Sequence, residues 1–468
     1  MSGKSVVTAL LLAGVVLGGC GRRPLVTRDD RLPRAFVVRN VRVFDAPHAV
    51  LFDGMRDVLV REGRIAAISG AGMNVSGIVE IDGAGATLLP GLVDLHVHSG
   101  ATSAPPWKLA LPRPQDNLEA FLYAGVTTVL DLGNFSPDVF VMRERIRGGE
   151  ILGPHLYAVG PIFTAPDSHP VGLLRWALPW WLRWYVIPRF TRQVATASEA
   201  RAAVDALLGD HPDLLKIAVD RVPLESPRIS RELIAAIAAR GHEQGIRSIA
   251  HVGRSIDVVD AVIAGVDALA HIVYPEEMSA QAVKAVAERH IPVMATISVF
   301  DSQERFLLEH RPPYTELERA VAPPAVLDAL RVVPASFDRK AIEPVVRSLI
   351  EGHAARRRNV AELRRAGVTI LAGSDSPNIG HFPGASLHVE LADLVEAGMT
   401  AGEALRAATS DAARFLAGEG ADFGEISPGK RADLLIVEGD PVADIGAVDH
   451  IRDVFLDGVR LVRAAASV

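Results

Sequence analysis

Eight short apolar runs, each followed by a stretch with helical periodicity, constrain this chain more than anything else in its sequence. The runs are LVDLHVH (92–98), VTTVLDL (126–132), HLYAVG (155–160), LLKIAV (214–219), RSIAH (247–251), ALAH (268–271), PVMAT (292–296) and TILAGSD (369–375). Segments such as RELIAAIAARGHEQG and AGEALRAATSDAARFLA follow them with apolar residues at helical spacing. Strands alternating with helices predict βα units, and eight in order predict a closed (β/α)8 barrel of the TIM type.

The two ends of the chain read differently. Residues 34–90 alternate apolar and polar positions, as in AFVVRNVRVFDAP and DVLVREGRIAAISG, and the same texture returns in DLLIVEGDP and HIRDVFLDGVRLV. Period-2 alternation predicts strands. The expected organisation is therefore an α/β protein with a discontinuous small β-sandwich: residues 34–90 as its first part, 91–418 as the barrel and 419–463 as its second part. Two insertions interrupt the alternation. Residues 171–190 hold four of the five tryptophans, and residues 298–345 form a long, proline-punctuated connection between strands seven and eight. Such insertions usually lie over the mouth of a barrel.

At 468 residues the chain has room for a barrel and a second domain. A net charge of −7 does not suggest a nucleic-acid partner. The single cysteine, Cys20, excludes an internal disulfide framework and a multi-cysteine zinc site.

The chemistry collects at strand ends. His96 and His98 stand two apart on one strand and so share a face. Lys216 interrupts LLKIAV, His251 ends RSIAH, His271 ends ALAH, and Asp375 ends TILAGSD. Singly, each has an ordinary explanation: a snorkelling lysine, a satisfied core histidine, an aspartate capping the next helix. All of them at the catalytic ends of strands one, four, five, six and eight point instead to a metal centre.

With these residues in place, the chain resembles the amidohydrolase superfamily, in particular its imidazolonepropionase- and prolidase-like branch. The resemblance rests on LLPGLVDLHVH, the lysine strand, the two histidine strands, LAGSDSP, EAGMTAGEALRAATSDAA and GEISPGKRADLLIVEGDP, and covers residues 34–463. It implies two divalent metals, Zn²⁺ foremost given nitrogen and oxygen ligands. His96, His98 and Asp375 would hold the more buried metal, and His251 and His271 the more exposed one. Lys216 would carry a bridging carbamate, and Asp375 would shuttle the proton of a metal-bridging hydroxide. Deaminases of the superfamily use a glutamate three residues after the strand-five histidine. Here that position is Arg254 and strand four carries Lys216, both favouring a two-metal hydrolase.

The expected activity is hydrolysis of an amide bond in a small substrate such as a dipeptide or N-acyl amino acid. The alternatives are a cyclic-amide, lactone or ester hydrolase with the same metals, or a lipoprotein that binds without turnover. His169, in GPIFTAPDSHPVG, matches a place where relatives carry a substrate-side histidine. Asp167 and Ser168 replace the usual glycines there, so a solvated loop histidine stays open. Arg254 reads as a bidentate donor for a substrate carboxylate or as an exposed helix-start arginine. His155, His242, His290 and His388 read as ordinary loop or helix residues. The Trp-rich insertion reads as a lid, a membrane-interface contact or a packed loop.

At the start of the chain, Lys4, an apolar stretch over residues 6–19 and Leu17-Gly18-Gly19-Cys20 resemble a bacterial lipoprotein signal. That stretch is shorter than the roughly 20 residues a transmembrane helix needs. The resulting expectation is a signal peptide over residues 1–20, a lipidated Cys20 and a place in the bacterial envelope on the periplasmic face, with the outer membrane favoured.

Overall fold

The computed structural model describes residues 23–222, 224–305, 313–335, 337 and 343–465. Cys20 and the apolar stretch before it lie outside the described residues.

The eight apolar runs become strands β1 (Leu92–Val97), β2 (Val126–Asp131), β3 (His155–Ala158), β4 (Leu215–Ala218), β5 (Ser248–His251), β6 (Ala268–Ala270), β7 (Val293–Met294) and β8 (Ile370–Leu371). β1, β2 and β3 pair in parallel. Beyond β3 a short strand, Ile162–Thr164, takes over and pairs with β4 through Phe163 and Ile217. Parallel pairing then runs unbroken from β4 to β8. The Leu95 amide donates to the Ala372 carbonyl at 3.2 Å and the His98 amide to the Ser376 carbonyl at 2.9 Å, closing β8 onto β1.

Closure explains the apolar character of the runs, because a barrel strand is buried on both faces. One cluster draws on the strands and the residues flanking them, including Val93, Leu130, Val159, Leu214, Ile249, Ala270, Met294 and Leu371, together with Phe415 and Phe423. A second cluster, including Leu215, Ile217, Ala250 and Leu269, packs outward against the helices.

Strands from both chain ends form one further sheet. Thr87–Pro90 pairs with Leu434–Val437, and Ala35–Asp45 pairs with Arg56–Arg61. Val26–Arg28, ahead of the expected start, adds an edge strand against Val459–Arg463. Phe36 and Phe455, both fully buried, stack at 5.1 Å in the core of this β-sandwich.

The Trp-rich insertion folds as two helices, α1 (Val171–Ala177) and α2 (Trp180–Phe190). The described residues of the long, proline-punctuated connection from β7 to β8 are largely helical: α3 (Ile297–Glu304), α4 (Glu316–Val321), α5 (Pro324–Arg331) and α6 (Glu343–Arg365). Pro324 and Pro344 stand in the first turns of α5 and α6 rather than breaking them. Pro324 opens α5, where its missing N–H costs nothing. Thr315 and Glu318 close a capping box on α4.

His155 is not the ordinary loop or helix residue the sequence suggests. It begins β3, with Nε2 3.4 Å from Asp433 and 3.3 Å from Asp457, both on the chain-end sheet side. Burial opposes its charge, but the two carboxylates outweigh burial and raise its pKa from 6.5 to about 9. A raised folded-state pKa means stability that is fully present below about 6.5 and lost as pH rises through about 9. Wild type should therefore exceed His155→Asn in urea midpoint below that window, and the gap should close above it. A gap independent of pH would remove charge pairing as its cause.

Candidate metal centre

β1 delivers His96 and His98, and a register shift between Asp94 and Val97 bends the strand end. Gly373 permits the close approach of β8, since a Cβ there would lie 2.8 Å from His96 Cβ. Asp94 joins the two strands, accepting from the Ser374 amide at 2.9 Å, the Ser374 hydroxyl at 2.5 Å and the His96 amide at 3.2 Å. His271, Thr296 and Asp375, just beyond β6, β7 and β8, all adopt positive φ (74°, 50° and 59°). Such backbone strain in non-glycine residues concentrates at functional sites.

The six expected metal-site residues come together. The His96 ring lies 4.6 Å from His271, and His271 lies 4.0 Å from His251. Asp375 Oδ1 is 3.0 Å from His98 Nε2 and 3.5 Å from His96 Nε2. Lys216, 1% exposed, places Nζ 3.4 Å from His96 Nε2. Burial pushes its amine down to about 7, against the pull of Asp375 and Asp220.

Ligand atoms fall into two compact groups, His96–His271–Asp375 and His169–Asp220–His251, each within 4.8 Å. His271 therefore lies beside His96 and Asp375, whereas the expected division placed it with His251. His169, expected on the substrate side, stands among the donors, its ring 4.7 Å from that of His251. Asp220 is a residue the sequence reading missed: Oδ2 is 3.1 Å from His251 Nε2 and accepts from the Tyr274 hydroxyl at 3.3 Å. Its signal was available, because positions 216 and 220 share one face of an extended strand. His381 was missed too; its Nε2 donates to the Ser374 carbonyl at 2.8 Å and so ties down the chain beside Asp375.

The donor set fits divalent metals. His98 Nδ1 donates to the Gly133 carbonyl at 3.0 Å, so a neutral His98 turns only a lone pair toward Asp375. Two acceptors facing each other call for a cation between them, either a proton or a metal ion. His271 Nε2 and Asp220 Oδ1 are buried without hydrogen-bond partners among the described residues, which is costly unless a ligand satisfies them. Two binding groups of histidine and aspartate thus define a binuclear metal site. The other histidine–carboxylate groups are compensated differently: Arg356 and Arg357 bind Asp301, and Arg431 approaches Asp433 at 3.7 Å.

Beside Asp220 a cavity of about 340 Å³ opens, lined by residues including Arg221, Arg228, Arg254, Ile256 and Tyr274. That volume is at the small end of the roughly 300–1,000 Å³ of small-molecule pockets. Arg228 is held by Asp257 at 2.8 Å and Asp260 at 2.7 Å. Arg254 lines the cavity as expected but pairs with Glu276 at 2.8 Å. Arg221, which the sequence reading passed over, has no carboxylate partner among the described residues. His242 and His388 are structural, bound to Asp267 and Asp449, and His290 lies in a turn.

A parallel barrel with a binuclear histidine–aspartate site at its strand ends, flanked by a sandwich from both chain ends, defines a metal-dependent hydrolase. The Amidohydrolase family pattern matches residues 87–461, and the chain belongs to that family. Ochratoxinase from Aspergillus niger is 25% identical over 386 residues, covering 76% of this chain and 71% of that protein. Among solved structures, a Xaa-Pro dipeptidase with bound methionine superposes with a TM-score of 0.73 at 20% identity, covering 92% of this chain and 100% of that one. A prolidase complexed with N-methylphosphonate-L-proline gives 0.72 at 21% identity, with coverages of 92% and 100%. At such identities the likeness shows the fold.

The expected envelope placement is corrected. The dipeptidase and prolidase structures that this chain resembles cover 92% of it. No helix among the described residues is long and apolar enough to cross a membrane. The placement rested only on the segment ending at Cys20, which lies outside the described residues.

Proposed function

We propose that the chain hydrolyses the amide bond of a small substrate bearing a free carboxylate, a dipeptide or an N-acyl amino acid. The observation that carries this reading is the lining of the cavity: Asp220, 3.1 Å from His251 Nε2, shares it with Arg221 and Arg254. A guanidinium without a carboxylate of its own suits a substrate carboxylate. The names of the relatives, an ochratoxinase and a Xaa-Pro dipeptidase, agree with that class.

In this reading His96, His98 and Asp375 would hold one metal and His251 the other, with His271, whose ring lies 4.6 Å from His96 and 4.0 Å from His251, within reach of both, and Zn²⁺ the best match to the donors. Metals held there would supply Lewis acidity, lowering the pKa of a bound water and polarising the scissile carbonyl. Lys216 would add carbon dioxide at Nζ, losing a proton, and the carbamate would offer its two oxygens, sharing one negative charge, as metal ligands. Asp220 orients His251, as carboxylates beside ligating imidazoles do. Asp375 takes the proton of the attacking water and passes it to the leaving amine. Arg254 and Arg221 hold the carboxylate. The division of the chain at residues 91 and 418 belongs to the same proposal.

The test is a screen of the metal-supplemented protein against dipeptides, N-acyl amino acids, their carboxyl-amidated analogues, cyclic amides and lactones. Amidated analogues should show KM raised about tenfold or more, because a charge-assisted pair is lost. Equal kinetics with and without the carboxylate, or turnover confined to lactones, would overturn the substrate class.

A further inference from the structure

We propose that the α1–α2 hairpin is a docking surface for an anionic lipid membrane. Its tryptophans stand in water. Trp180 is 78% exposed, Trp184 68%, Trp181 49% and Trp176 40%, with Leu173 at 40% beside them. Tryptophan is highly buried on average, so a cluster of this kind marks a surface that something covers.

The pattern along α2 shows how it is mounted. Trp180, Trp184 and Ile187 follow at i, i+4 and i+7, forming one apolar stripe. The protein covers only its last member, Ile187, at 8% exposure. At that end Phe190 lies 6.3 Å from the His98 ring and 6.2 Å from Phe135. The other end projects outward, and Trp180 begins the helix roughly 15 Å from Phe190 at 1.5 Å per residue. A lid over the cavity would bury its most apolar rings against the barrel; here exposure is greatest farthest from the site.

Charge identifies what covers the stripe. Residues 171–192 contain Arg175, Arg183, Arg189 and Arg192 and no acidic residue, within a chain of net charge −7. Arg175 pairs with Asp167. Arg183, Arg189 and Arg192 bond instead to the carbonyls of Leu178, Tyr185 and Pro188, with no carboxylate partner among the described residues. Arginines interleaved with exposed tryptophans form the composition that lies in a lipid interface and is drawn to anionic headgroups. A second copy fits worse, because an isologous contact would bring together two patches that each carry these arginines and no acidic residue. Every compartment has a lipid boundary, so the contact specifies no localisation.

The experiment is flotation of the full chain with vesicles of phosphatidylcholine alone or mixed with phosphatidylglycerol, alongside Trp180→Ser/Trp184→Ser. Both side chains are exposed, so the thermal unfolding midpoint should be unchanged. Wild type should float with the anionic vesicles, and its tryptophan fluorescence should be quenched by brominated lipid. The variant should lose about tenfold or more of its binding. Failure of the wild type to bind anionic vesicles, or equal flotation of both proteins through another segment, would overturn the proposal. So would a variant that loses only self-association, or only affinity for apolar substrates, while its vesicle binding stays intact.

Discussion

Asp375→Asn should lower kcat by about 10²–10⁴-fold, the usual contribution of a general base, while metal content falls much less. The side chain keeps its shape, so the neighbouring histidines keep their places, and the lost quantity is the capacity to take a proton. The structure gives that carboxylate a defined charge state. Burial favours its neutral form, but His98 at 3.0 Å, together with Lys216 and His251, outweighs burial and lowers its pKa. It is therefore an anion through the neutral range, ready to accept. Single-turnover rates with metal analysis on the same sample check the prediction. Turnover near that of wild type would move proton transfer to another residue.

Lys216→Ala should lose at least one metal and fall in activity about as far. The ordinary explanation of this lysine, packing with a snorkelled amine, does not fit its surroundings. It is 1% exposed, and its Nζ lies against His96 Nε2. An ammonium there would repel bound dications, whereas a carbamate would bind them. Short carboxylic acids should partly restore activity to Lys216→Ala by entering the vacated space. Lys216→Met separates the two explanations, since it keeps the volume without the nitrogen. Full metal content and normal turnover in the methionine variant would show that Lys216 only fills space.

How far the sequence could be read depended on whether a signal was local. Strand ends carrying His96, His98, His251, His271 and Asp375 were legible because a polar group interrupts or terminates an apolar run. Asp220 was not, because it follows LLKIAV where an aspartate looks like an ordinary turn residue, and only Lys216 four positions earlier betrays its face. Arg221 was missed for the same reason, since only the fold shows it facing a cavity. The helices over 298–345 went unread among the prolines of that connection, although Pro324 stands where a helix tolerates it. His155 became significant only when the fold brought Asp433 and Asp457, hundreds of positions away, to its imidazole. The Trp insertion was recognised as anomalous, but which of its rings are covered is a property of the fold.

The central claim is that hydrolysis depends on metals held by these side chains. Its most direct test is metal analysis of the purified chain by plasma mass spectrometry, paired with hydrolysis of an N-acyl amino acid before chelation, after chelation and after adding Zn²⁺ back. The expected result is close to two metals per chain, in keeping with the two donor groups, with hydrolysis abolished by the chelator and restored by the metal. Undiminished hydrolysis by protein shown to contain no metal would contradict the account.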